Sequence, residues 1–137
     1  MLRDGKRSWE ARTSLVWIIG EIGDKAAISA LESAWTLADA PETFRVQVAI
    51  ALGALGVLKP LRSYLVTGGD DPIDKVFVAK AAMGLSNLGD EPSIPVLMAL
   101  KDDPEIGPYI VLALGRLGEP TVREALKGYL KEAMFRE

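Results

Sequence analysis

The chain has no cysteine and no histidine among its 137 residues. Without cysteine there is neither a disulfide framework nor a thiolate nucleophile. With histidine missing as well, a zinc site of the usual ligands and a nucleophile activated by an imidazole both lack their parts. A surplus of basic charge is also missing: 16 Lys and Arg stand against 19 Asp and Glu, a formal charge of −3. That balance disfavours nucleic acid as a partner, because backbone phosphates demand a basic face. The charged N-terminus, Met1 to Arg7, is followed by an apolar run of only five residues, Leu15 to Ile19. Five residues are too few for a signal peptide or a membrane span, so no membrane association and a cytoplasmic location are expected. Aromatic residues are sparse, and the three tryptophans, Trp9, Trp17 and Trp35, all lie in the first 35 positions.

What is present is a repeat. Gly20-Glu21-Ile22-Gly23, Gly53-Ala54-Leu55-Gly56, Ser86-Asn87-Leu88-Gly89 and Gly115-Arg116-Leu117-Gly118 share one phase, and their last glycines fall 33, 33 and 29 residues apart. That period belongs to stacked helical hairpins. One and four residues before each final glycine stand Ile22 and Ile19, Leu55 and Leu52, Leu88 and Leu85, Leu117 and Leu114. With the apolar pairs seven and eight before it, they complete one face of an amphipathic helix. Glycine then suits a left-handed residue that stops the helix and reverses the chain. A second stripe follows at Ile28 and Leu31, Leu61 and Tyr64, Ile94 and Leu97, and Val122 and Ala125, the last after a one-residue deletion in its turn. The pattern predicts eight helices, near 8–22, 25–37, 42–55, 58–67, 73–88, 92–101, 106–117 and 120–135, with no competing strand pattern. Pro95 is placed in the first turn of a helix, where its missing N–H costs little.

In repeat one Arg12, Ile19-Gly20-Glu21-Ile22-Gly23-Asp24 and Ala27-Ile28, and in repeat two Arg45 and Leu52-Gly53-Ala54-Leu55-Gly56, resemble the HEAT-like repeats of the phycobilisome-lyase type. Repeats three and four keep Leu88-Gly89-Asp90 and Leu117-Gly118-Glu119 but carry Val78 and Gly107 in place of the arginine. The resemblance implies an all-α fold, an alpha solenoid of four HEAT-like hairpins. The expected organisation is one domain over 1–137 with repeats near 8–38, 39–69, 70–103 and 104–137. Members of this family include chromophore-lyase subunits, a diiron hydroxylase and many binding scaffolds. The hydroxylase needs histidine ligands that this chain lacks.

No catalytic, cofactor or metal constellation emerges. The acids Asp70, Asp71, Asp74 and Asp102, Asp103, Glu105 lack the spacing of a calcium loop and suit helix starts, where the dipole favours anions. Gly68-Gly69 and the tetrads follow no strand and fit no phosphate-loop fingerprint. Candidate partner-binding residues fall in two groups. On the second helices, positions expected on a concave face are Ser29, Ser33, Arg62, Val66, Pro95, Ala99, Arg123 and Lys127. They could receive an acidic or extended peptide, or simply face solvent. On the first helices Trp17, Ile50, Met83 and Leu112 occupy one register and could form an apolar ridge, unless helix rotation buries them. Leu15 to Ile19, at about 100° per residue, encircle their helix, which is normally the mark of burial on all sides. With Trp9 alongside, a symmetric homodimer through the N-terminal repeat is expected, Trp17 at its interface. The function expected is a non-catalytic protein-binding scaffold. The alternatives are an accessory subunit of a bilin lyase or similar modifying enzyme, and a nucleic-acid-binding helical repeat.

Overall fold

The computed structural model describes residues 6–67 and 72–135. Among them lie eight α-helices and no strand: α1 (Lys6–Ile22), α2 (Ile28–Trp35), α3 (Glu42–Ala54), α4 (Lys59–Thr67), α5 (Pro72–Asn87), α6 (Ile94–Leu100), α7 (Gly107–Arg116) and α8 (Val122–Phe135). The all-α helical-repeat class read from the period is the one observed. Short 3-10 turns, Lys25–Ala27 and Glu91–Ser93, lead into α2 and α6. The first begins where the Asp24 carboxylate accepts the Ala26 N–H at 2.9 Å, a local bond that competes with a regular helical start. Pro95 sits in the first turn of α6. Gly68, Gly69, Asp70 and Asp71 lie outside the described residues.

All four final tetrad glycines have positive φ, 77°, 98°, 70° and 84° for Gly23, Gly56, Gly89 and Gly118. Three of the turns close alike. Val57, Asp90 and Glu119 donate back to the carbonyls of Leu52, Leu85 and Leu114 at 2.8, 3.0 and 3.0 Å, and the preceding glycine N–H groups to those of Gly53, Ser86 and Gly115. This paired closure satisfies carbonyls that a helix end leaves open, and it requires a left-handed residue at the bend.

The chain divides into two compact units, 1–64 and 65–137. In the first, α3 packs against both α1 and α2. Its core gathers Val16, Leu31, Phe44, Val48, Ala51, Leu52 and Leu55, with Trp9, Ile19, Ile28 and Trp35 partly buried around it. In the second, α7 packs against α5, α6 and α8 in the same manner, burying Ile106, Ile110, Ala113 and Leu114. Each first helix after the opening one of a unit therefore takes the hairpin before it as its floor.

Ile22 and Leu88 depart from the helical stripe: they are 71% and 40% exposed, although Leu55 in the same register is buried. The physical reason is one of neighbours. Leu55 joins the cluster with Val16 and Leu31 of repeat one, whereas Ile22 lies outside it.

Candidate functional site

The positions expected on the second helices reach the surface. Within the first unit Ser29 and Ser33 are exposed and Arg62 is half-buried. Within the second Val66, Pro95, Ala99, Arg123 and Lys127 are exposed. Lys127 pairs with Glu124 one helical turn away at 3.6 Å, the solvated arrangement usual on a surface helix.

The apolar ridge is interrupted. Trp17 is 55% exposed and Leu112 is exposed, but Ile50 and Met83 are half-buried. Ile50 lies on α3 and Met83 on α5, helices that a neighbouring first helix flanks, so their sides are partly covered. Trp9 also turns inward. Its indole meets the Phe44 ring edge-to-face at 5.0 Å between centroids, and the Arg12 guanidinium lies 4.5 Å over it. Both contacts stabilise the α1–α3 junction.

Beside that junction α1 and α2 leave an open apolar groove of about 350 Å³, with Leu15, Ile19, Ala27, Ala30, Ala34 and Leu37 on its walls. Arg12 stands at its rim, and the buried Nε of that side chain has no hydrogen-bond partner among the described residues. Ile18 and Ile22, one turn apart, extend the apolar surface along α1 from Leu15, and Trp17 is exposed on another side of the helix. The encircling run Leu15 to Ile19 signalled this surface in the sequence. The groove itself was not legible there, because Ala27, Ala30 and Ala34 make it by their small size.

The arginine of repeat two shows what that position does when a hairpin lies in front of it. Arg45 Nη2 donates to the backbone carbonyls of Leu37 and Ala38, in the turn that follows α2. Nearby, Tyr64 Oη donates to Glu42 Oε2 at 2.6 Å, and its ring meets Trp35 edge-to-face at 5.8 Å. Burial, then the bond to Glu42, raises the Tyr64 pKa above the ordinary phenol value. An unfolded tyrosine loses its proton near pH 10, so above that pH the folded chain holds more protons than the unfolded one. Stability from this group is therefore complete below about pH 10 and is lost as pH rises beyond it, by at most about 1.4 kcal/mol per pH unit. Melting temperatures followed from about pH 8 to 11.5 should fall more steeply for the wild type than for Tyr64→Phe. Parallel curves would refute the assignment.

Of the second acidic cluster, Asp103 closes the turn that leads into α7. Its Oδ1 accepts the Glu105 and Ile106 N–H groups at 2.8 and 3.1 Å, and these bonds, with Lys75 at 3.3 Å from Oδ2, hold its pKa below the ordinary carboxylate value. Lys75 also bonds Glu105 at 3.0 Å. No group of three or more acids that could hold a metal ion occurs among the described residues, and no described helix is long and apolar enough to cross a membrane.

Compared with known families, residues 11–34 and 78–103 match the PBS lyase HEAT-like repeat. The first segment runs from Ala11 to Ala34 in repeat one, and the second from Val78 within α5 through α6 to Asp103. No curated protein matches the chain.

Proposed function

We propose that this protein is a non-catalytic scaffold for protein–protein interaction, with the N-terminal repeat as its principal binding end and self-association as one of its modes. The observation that carries the reading is the apolar surface of α1 and its groove, where Ile18 and Ile22 are exposed beside the half-buried Leu15, with Trp17 exposed on another side of the helix. Contiguous exposed apolar area of this kind is characteristic of interaction surfaces. The groove is walled mainly by aliphatic side chains, the chemistry that suits an apolar segment of a partner protein.

Affinity capture with the wild type and with Trp17→Glu tests the reading. Proteins retained by the wild type should be lost from the variant while its helical circular dichroism is unchanged. Equal retention by both would remove the N-terminal repeat from the binding surface. A second reading, an accessory subunit of a chromophore lyase, is favoured by the family of the matched repeats. It requires saturable binding of a bilin or a bilin-bearing protein, measured by absorbance shift.

A further inference from the structure

The groove between α1 and α2 owes its depth to three alanines. Ala27, Ala30 and Ala34 are spaced three and four residues apart, which places them in one row opposite Leu15 and Ile19 of α1. One and two repeats on, the same register holds Pro60, Ser63 and Thr67, then Ser93, Val96 and Leu100, which are polar or bulkier. The volume of about 350 Å³ stands at the small end of the range for small-molecule sites, about 300–1,000 Å³. Along α1 the groove runs from Arg12 to Ile19. Seven residues at a helical rise of 1.5 Å span about 10 Å, the length of a medium-chain alkyl group.

Every side chain that lines the groove is apolar except Arg12. Its guanidinium lies 4.5 Å over the Trp9 ring, its Nε has no hydrogen-bond partner among the described residues, and none of the described ion pairs includes it. Arg45, at the same position one repeat on, shows what such an arginine does when an acceptor is within reach, for it donates to two carbonyl oxygens. The described residues give Arg12 no anion, so the complement of the groove is a single acid group at one end of an apolar body. A guanidinium stays charged at physiological pH and binds a carboxylate through paired N–H donors. A phosphorylated or sugar-bearing ligand needs further polar partners, and the remaining side chains of the walls offer none.

We propose that the groove is a binding site for a medium-chain aliphatic carboxylate, with the acid at Arg12 and the chain laid along the alanine row toward Ile19. Burial of the alkyl chain supplies the affinity, and the charge sets the direction of binding and selects the acid over the corresponding alcohol. The site goes beyond the scaffold reading. Trp17, on which capture of partner proteins is tested, is not among the residues that line the groove, so either reading can fail without the other.

Isothermal titration calorimetry with decanoate, decan-1-ol and butanoate tests the site. Decanoate should bind the wild type at a single site with a Kd below about 1 mM. Decanol should bind about tenfold more weakly for want of a charge-assisted hydrogen bond, and butanoate, with the same head and little chain, should not bind measurably. Arg12→Met keeps an aliphatic stem against Trp9 and should reduce the affinity for decanoate to that for decanol. Ala30→Phe fills the groove from an exposed position, outside the core, and should abolish binding of both. Circular dichroism checks the fold of each variant, and Ala30→Phe carries the test if Arg12→Met unfolds. A wild type that does not bind decanoate, butanoate bound as tightly as decanoate, or an affinity for decanoate unchanged in either folded variant would each overturn the proposal.

Discussion

Replacing Leu52 by alanine should lower the unfolding free energy by about 2–5 kcal/mol, the range for deleting a fully buried leucine. Leu52 has no exposed surface and sits in the cluster formed by Val16, Leu31, Phe44, Val48 and Leu55. Two terms add: the lost transfer free energy of the removed groups and the cavity left behind, which grows if the surroundings cannot collapse. Here collapse is hindered, because α3 is held between the backbones of α1 and α2 and its end is locked by the Val57 N–H bond to the Leu52 carbonyl. The effect should therefore fall in the upper part of the range. Denaturant titration followed by the helical signal measures it, with the exposed Val66→Ala as a control expected within about 0.5 kcal/mol of wild type. A Leu52→Ala value as small as the control's would mean that this core is not where the stability resides.

Gly20→Val should cost about 1–3 kcal/mol, as overpacking does where backbone has to move. A Cβ at Gly20 would lie 3.1 Å from both the Cα and the Cβ of Ala51, so α1 and α3 approach closely there and no flexible side chain can yield. Alanine at this site gains helix propensity, worth up to about 1 kcal/mol over glycine, and loses part of it to that contact. Valine adds two methyl groups with no compensating gain. Gly23, three residues on, is constrained for another reason: nothing lies within 4 Å of its Cβ position, but its φ of 77° is left-handed. Gly23→Ala should cost about 1–2 kcal/mol from conformation alone. A thermal series of Gly20→Ala, Gly20→Val and Gly23→Ala separates the two causes. If valine at 20 were as stable as alanine at 20, close packing of α1 on α3 would be disproved.

The helix ends and the 33-residue period were legible because each is decided within about one turn of chain. A glycine that can take positive φ, followed by an N–H that reaches back five residues, stops a helix whatever surrounds it. The burial of Leu52, Leu85 and Leu114 was legible for a related reason: a residue in the middle of an amphipathic face is covered under any packing of that face. Equal register did not guarantee equal surroundings. Ile22 and Leu55 are equivalent in sequence, and so are Arg12 and Arg45, yet Leu55 is buried and Ile22 exposed, and Arg45 binds two backbone carbonyls where Arg12 lies over the Trp9 ring. Trp9 offers a similar case, for its place beside an apolar helix suggested an interface, and Phe44, 35 residues away, draws it into the α1–α3 junction. The sequence by itself determined the all-α repeat, its period and the residues that end its helices, since those follow from backbone conformation and local hydrogen bonding. Only the tertiary structure decided which partners the arginines find and which apolar side chains of α1 stay open, because that depends on what packs against each face and not on the face itself.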